Sequence, residues 1–284
     1  MSVVIKERPA KNYNADFFSP DHPNLAIEEK SMRIVAVIGA AGGIGAAICK
    51  AMLEAGDRVF LLDRDERQER VVNTLATWGE RASFVACDLA DPGSIAQAFA
   101  EIERHGKGLD ACINAAGVIR RGRFVEVSGE DLNTMMAVNV TGAFQALQAA
   151  SRLMMASGGG RIVNVASAHG LRTTAERSTY AMSKGAILAL TRALAVELGS
   201  HGILVNAVAP GPVATGMQSA DSESRRLWQA STPLGRVAVA EEVAHAAAFL
   251  ASPANTFITG DTLIIDGGAS VSLGSPTRGS PTRG

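Results

Sequence analysis

Tyrosine occurs at only two positions of this chain, Tyr13 and Tyr180, and lysine at six, yet Lys184 follows Tyr180 by four residues in the segment Tyr-Ala-Met-Ser-Lys. On a helix, positions i and i+4 share a face, so the ammonium is carried towards the phenol. A cation about 4 Å away at an effective dielectric of about 20 contributes on the order of 4 kcal/mol, which brings a phenol with an ordinary pKa near 10 down by roughly three pKa units. The spacing therefore predicts a tyrosine that titrates near neutrality. Such a group takes a proton from a secondary alcohol as hydride leaves its carbon, or returns one to a ketone, and needs no metal to do so.

A second constellation offers a place for the hydride carrier. The apolar run at 34–38 leads directly into Gly-Ala-Ala-Gly-Gly-Ile-Gly at 39–45, which puts Gly39, Gly43, Ile44 and Gly45 at a turn and at the opening of a helix. Glycine turns tightly and leaves no side chain between backbone and phosphate, while free N–H groups and the helix dipole favour an anion. Taken alone, the same pattern also makes a tight strand-to-helix turn with no ligand. The second apolar run ends at Asp63, eighteen residues after Gly45. An acid at that spacing accepts the two hydroxyls of an adenosine ribose and repels a 2′-phosphate. Arg64 follows and is placed to hold such a phosphate, but the glycine loop has no basic residue to assist it, so the expectation is NAD rather than NADP. The other reading of Asp63 is a helix cap.

The elements that must position these groups alternate regularly. Apolar runs of strand length stand at 34–38, 59–62, 82–86, 109–113, 161–166, 203–208 and 262–266. Between them, 43–55, 64–78, 92–105, 131–156, 178–199 and 241–251 have helical length and apolar residues at three- and four-residue spacing. The alternation predicts an α/β chain, a doubly wound seven-stranded parallel sheet with helices on both faces, in one domain over 33–270. Residues 1–32, with three prolines, are expected to be an extension. Residues 271–284, which end in Ser-Pro-Thr-Arg-Gly repeated twice, are expected to be a flexible tail, because they have nothing with which to pack a core.

At 284 residues the chain is long enough to bury a substantial core without disulfides or metal. Its 27 basic and 28 acidic residues leave a net charge of -1, and they are scattered. That gives no footprint for nucleic acid or for an anionic membrane surface and favours a small-molecule substrate. Cys49, Cys87 and Cys112 have no metal-ligand spacing and sit among apolar neighbours, as reduced buried thiols do. With no secretory signal in the charged first 31 residues and no uninterrupted apolar span, the expected place is the cytoplasm.

These residues together resemble the short-chain dehydrogenase/reductase family over about 33–268. The resemblance implies a Rossmann fold in which 39–45 is the glycine motif, Asp88 and Leu89 of Cys-Asp-Leu meet the adenine, and Asn114, Ala115 and Gly117 of Asn-Ala-Ala-Gly lie beside the cofactor. It makes Tyr180 the catalytic acid/base and Lys184 its pKa partner and ribose ligand. Ser167, thirteen residues before the tyrosine, would orient the substrate oxygen. Asn139, in Asn-Val-Thr-Gly, would complete a tetrad by holding a water between Lys184 and solvent. In the stretch from Pro210 to Thr215, Pro210 and Gly211 would shape a loop, and Val213 and Thr215 would meet the nicotinamide amide. The departure is Ile38, where the family often has a threonine that steadies the loop. A homotetramer built through helices 131–156 and 178–199 and the C-terminal region is implied as well.

Ligands of open parallel sheets bind beyond the carboxyl ends of the strands. There the chain has Arg120, Arg121 and Arg123 after the fourth run, and His169 and Arg172 after Ser167, which suits an anionic substrate. Solvated or intersubunit ion pairs are the other reading of these arginines. The Gly-Val-Ile-Arg-Arg segment is similar to that of sugar-acid dehydrogenases of the family, those acting on gluconate or 2-keto-3-deoxygluconate. Residues 212–236, with Ser219, Asp221, Arg225, Arg226 and Trp228, are expected to form a lid. The alternatives are an NADPH-dependent 3-oxoacyl-carrier-protein reductase and a dinucleotide-binding protein without turnover.

Overall fold

Residues that alternate along the central strands divide between two helical layers. The computed structural model describes residues 32–105, 108–215 and 223–272. In it β1 (Ile34–Ile38) is buried at all five positions. Ile34, Ala36 and Ile38 pack with Ile95, Phe99 and Ile102 of α3 (Pro92–Arg104) and with Leu147, Ala150 and Met154 of α5 (Ala143–Ala156). Val35 and Val37 face the other way, onto Ile48, Met52 and Leu53 of α1 (Gly43–Glu54) and Val243 and Ala247 of α8 (Ala240–Ala251). Side chains of a strand alternate between faces, so a sheet covered on both sides needs apolar residues at every position. The uninterrupted apolar runs of the sequence are this requirement written out.

The sheet has seven strands in the order β3 (Ala82–Ala86), β2 (Arg58–Asp63), β1, β4 (Ala111–Asn114), β5 (Gly160–Val165), β6 (Ile203–Pro210) and β9 (Thr262–Ile265), every pair parallel. From β1 the chain winds out to β3 and then returns to β4 on the other side. The sheet therefore opens a crevice beyond the carboxyl ends of β1 and β4, where the order reverses. Ile38 pairs with Leu62 on one side and with Asn114 on the other, so the glycine loop, Asp63 and the loop after β4 emerge together. All seven expected strands are present.

Two expected helices differ. In 64–78 the chain makes 3₁₀ turns over Asp65–Val71 and then a short α2 (Val72–Trp78), because the charged run 64–70 offers no apolar stripe and buries only Val71. In 131–156 one long helix is replaced by α4 (Gly129–Met136), a π turn over Ala137–Gly142, and α5. The π turn lies where the chain passes closest to its neighbour: a Cβ on Gly142 would fall 2.0 Å from the Leu89 carbonyl oxygen. Wide turns of this kind insert an extra residue into a helix and recur at functional sites. This one carries Asn139.

The remaining elements are α6 (Ser178–Leu198), β7 (Val213–Ala214) and α7 (Glu223–Ser231) within 212–236, and just after it β8 (Ala238–Val239), which pairs with β7 in parallel. Ser219 and Asp221 of the expected lid lie outside the described residues, as do 1–31 of the expected extension and the tail from 273 onward. No described helix is long and apolar enough to cross a membrane.

Candidate active site

The turn after β1 is built from backbone against backbone. Gly39 has φ +81°, and its N–H donates to the Leu62 carbonyl at 2.7 Å. A Cβ there would sit 2.7 Å from the Ala116 backbone, one on Gly43 would sit 2.8 Å from the Thr215 Cβ, and one on Gly45 would sit 2.0 Å from the Gly39 oxygen. No side chain caps α1 at Gly42, and the first N–H groups of any helix lack helical acceptors. Gly43, Ile44 and Gly45 line a cavity of about 610 Å³. An uncapped, dipole-bearing helix start with no side chain in the way fits the pyrophosphate of a dinucleotide.

Asp63 closes this loop from below. One carboxylate oxygen accepts the Ala41 N–H at 2.9 Å and the other accepts the Arg64 N–H at 2.9 Å. It caps the loop rather than a helix, and each oxygen keeps a lone pair for a ribose hydroxyl. Arg67 approaches it to 3.9 Å, while Arg64 pairs with Glu66 at 3.0 Å. Asp88 holds the Ala90 N–H at 2.8 Å beyond β3, next to Leu89, whose carbonyl lies against Gly142. Asn114 is buried at the end of β4, where its amide donates to Asn164 at 3.3 Å. Ala115, Gly117, Pro210, Gly211, Val213 and Thr215 line the cavity, whereas Gly39, Asp63, Asp88, Leu89 and Asn114 are not among its lining residues.

Ser167, Tyr180 and Lys184 meet on the wall away from the glycine loop. Ser167 ends the β5 segment and accepts the His169 N–H at 3.2 Å, and Tyr180 lies in the first turn of α6. Lys184, one turn on and only 5% exposed, donates to the Val165 carbonyl at 2.9 Å. Its ammonium is 5.9 Å from the centre of the tyrosine ring. Gly117 faces it so closely that a Cβ would lie 3.1 Å from Nζ.

Tyr180 does not titrate as its spacing predicts. Burial raises its phenol above the ordinary value, and the Ser167 hydrogen bond and the Arg177 charge pull down less strongly. Burial also brings Lys184 down to about 8. Helical spacing fixes how near two groups are, but the shift depends on how much water both have lost. Asn139 is buried in the π turn. Its side-chain oxygen accepts the Val118 N–H at 2.8 Å, and its amide donates to the Val118 carbonyl at 2.9 Å and the Ser183 hydroxyl at 3.1 Å. These bonds fix the loop that carries Gly117.

Of the three arginines expected at the entrance, only Arg121 lines the cavity. Arg120 reaches Asp131 at 3.6 Å and Arg123 reaches Glu126 at 2.8 Å. Arg172 and His169 line it as expected, together with Trp228 from α7 and Arg177, which the sequence reading passed over. The available signal was its position three residues before Tyr180. The His169 ring stands 6.0 Å from that of Tyr180 and 5.9 Å from that of Trp228. Burial first, then Arg177 and Arg121, push its pKa down to about 4, so it is neutral near pH 7.

The chain as a whole is similar to known dehydrogenases and reductases. A family model described as enoyl-(acyl carrier protein) reductase matches residues 39–270. A galactitol 2-dehydrogenase (L-tagatose-forming) of Cereibacter sphaeroides is 40% identical over 242 residues, covering 83% of this chain and 94% of that protein. A human 3-oxoacyl-[acyl-carrier-protein] reductase is 36% identical, covering 85% of this chain and 99% of that one. Among solved structures, a gluconate 5-dehydrogenase from Burkholderia cenocepacia in complex with NADP and tartrate superposes with a TM-score of 0.80 at 31% identity, covering 85% of this chain and 96% of that chain.

Proposed function

The chain belongs to the short-chain dehydrogenase/reductase family, and from that premise we propose that it interconverts a secondary alcohol and a ketone of a hydroxy or keto acid of sugar type, with NAD(H) and with Tyr180 as acid/base. The observation that carries this reading is that Ser167, Tyr180 and Lys184 share one cavity with the uncapped start of α1.

The bound dinucleotide supplies the acceptor or donor of hydride. In oxidation the alcohol proton passes to the Tyr180 oxygen as the carbon gives up hydride, and in reduction the phenol returns it to the carbonyl oxygen. Ser167 donates to that same oxygen and holds it within reach of the phenol. Lys184, anchored on the Val165 carbonyl, presents its charge beneath the tyrosine and a donor to the ribose. Asn139 works at one remove, by fixing Gly117 and Val118 beside the lysine.

NAD(H) is favoured by the Asp63 carboxylate at the end of β2, where a 2′-phosphate would meet a negative charge. Arg64 and Arg67 stand beside it, and the gluconate 5-dehydrogenase structure holds NADP, which defines the opposing outcome. Fluorescence titration is expected to give tighter binding of NADH than of NADPH. The reverse order would overturn the assignment of Asp63 and move the carrier-protein reductase reading to first place.

For the substrate, the arginines of the cavity favour an acid, and the neighbour that holds tartrate, a dihydroxy dicarboxylate, agrees. The galactitol enzyme favours a second reading, a neutral polyol. A panel of sugar acids, alditols and acyl thioesters with the preferred cofactor separates them: turnover of sugar acids is expected, and good turnover of neutral alcohols with none of sugar acids would sink the acid reading. A cytoplasmic homotetramer accompanies this proposal. The exposed Phe144 of α5 and Val196 of α6 support the assembly, and three buried free cysteines support the compartment.

A further inference from the structure

We propose that Arg177, with Arg121 beside it, is the subsite that receives the substrate's carboxylate, and that it makes the enzyme select a hydroxy acid over the neutral polyol of the same carbon skeleton. The inference rests on the reaction proposed above and adds the residue that sets its specificity.

Arg177 exposes 8% of its surface, and among the described residues no carboxylate lies within ion-pair distance of it. A guanidinium held out of water without a counterion is costly, so a site that keeps one is built for an anion that arrives. The fold goes to some length to place it. Glu176, just before it, has φ +62°, the one positive value at a non-glycine residue among those described. Residues held in that region cost on the order of 1–3 kcal/mol and mark places where the surroundings dictate the backbone. The Glu176 carbonyl accepts the Gly122 N–H at 3.2 Å, which joins the loop after β4 to the start of α6 and sets Arg121 next to Arg177. The Arg177 carbonyl in turn accepts the Ala181 N–H at 2.8 Å, so the arginine is fixed to the helix that carries Tyr180.

Among the described residues, no carboxylate that lines the cavity pairs with these charges. Arg121 and Arg172 also line it without a carboxylate partner among the described residues. Among the described residues the one carboxylate lining it is Asp266, and its oxygens already accept the N–H groups of Gly268 at 2.9 Å and Ser270 at 2.7 Å. His169 is neutral. The Arg177 guanidinium lies 5.8 Å from the centre of the Trp228 ring, which steadies its plane and closes that side to water. A planar guanidinium so held matches a carboxylate through two parallel hydrogen bonds, and a hydroxyl cannot make both.

The experiment compares gluconate with glucitol, a sugar acid and its neutral alditol, in the wild type and in Arg177→Gln, Arg177→Lys, Arg121→Gln and Arg123→Gln. Alongside turnover, calorimetry measures binding of gluconate to each protein loaded with NADH. The wild type is expected to bind gluconate and to prefer it to glucitol. Arg177→Gln is expected to raise KM for gluconate and weaken its binding about 30- to 100-fold, with a smaller fall in kcat, as when one partner of a buried charge pair is removed. Arg177→Lys should recover part of the loss, and Arg123→Gln, at a residue paired with Glu126 outside the cavity, should change neither quantity. Because Arg177 is buried, its variants are checked by circular dichroism. If Arg177→Gln does not fold, the exposed Arg121→Gln carries the test with a loss of about 10-fold. Unchanged gluconate binding in the folded variants, no gluconate binding by the wild type, or a wild type that uses glucitol as well as gluconate would each overturn the subsite. Binding of gluconate that depends on Arg177 but is never followed by turnover would leave the subsite standing and remove the reaction.

Discussion

Tyr180→Phe is expected to lower kcat by about three orders of magnitude, the middle of the range for loss of a positioned acid/base, while leaving the affinity for NADH within about twofold of wild type. The substitution keeps the ring in its place beside His169 and removes one oxygen. None of the neighbours can replace it. His169, brought down to about 4, is a weak base near neutrality, and its Nδ1 is already 3.2 Å from the Thr173 hydroxyl. The Lys184 ammonium is anchored on the Val165 carbonyl and, as a cation, has no lone pair with which to take the proton. Unchanged turnover in the variant would mean that the proton goes elsewhere and that the acid/base assignment is wrong.

The pH dependence follows from the same groups. With the phenol raised by burial, only a small share of it is ionised near neutrality, so alcohol oxidation, which needs the phenolate, should climb as pH rises above 7. Ketone reduction uses the protonated phenol and should stay level over that range. The two directions should therefore part as the solution becomes alkaline, and the residual activity of Tyr180→Phe should lose the climb. The neutral His169 predicts that no limb between pH 6 and 7 belongs to the imidazole, a point that His169→Asn checks by keeping the wild-type profile.

Much of this could be read from the residues, and the rest could not, for identifiable reasons. The seven strands were legible because a sheet buried on both faces leaves continuous apolar runs, as Ile34–Ile38 does. Tyr180 and Lys184 were legible because a helix converts a spacing of four into proximity. The π turn at Ala137–Gly142 was not, since the backbone it packs against, at Leu89, lies some fifty residues away in sequence. Nor does a row of arginines reveal which of them are free. Arg123 finds Glu126 within its own turn and Arg120 finds Asp131, whereas Arg121 points to the cavity and is joined there by Arg177 from a distant segment. The phenol's upward shift was missed because proximity and desolvation act in opposite directions on it and only proximity shows in spacing. The two-residue strands β7 and β8 exist only through each other.

Gly45→Ala should have the second large effect, a loss of NADH affinity of about 100-fold or more together with a lower melting temperature. In an ordinary helix the exchange would favour folding, because alanine is preferred over glycine there by roughly 1 kcal/mol. Here sterics reverse the sign. The added carbon would stand 2.0 Å from the Gly39 oxygen, 2.8 Å from its carbonyl carbon and 3.1 Å from the Ala40 Cα, all of them backbone. That backbone has nowhere to retreat. Gly39 and Ala40 both donate to the Leu62 carbonyl, at 2.7 and 3.1 Å, the Ala41 N–H is held by Asp63, and behind Gly39 lies the Ala116 backbone, close enough that Gly39 itself could not carry a Cβ. The strain must open the turn between β1 and α1, and crowding of this kind typically costs 1–3 kcal/mol even where side chains can adjust. Opening the turn tilts the N–H groups away from the phosphates they would hold, which is why binding should suffer more than folding. Gly129→Ala, at the start of α4 with open space around it, is the matched control and should leave NADH affinity unchanged and the melting temperature unchanged or slightly raised. If Gly45→Ala binds NADH as the wild type does, the dinucleotide does not rest on this turn. If both variants fail alike, the loss is one of helix starts in general. Only failure of the first alone ties the cofactor to the close approach of two backbone segments.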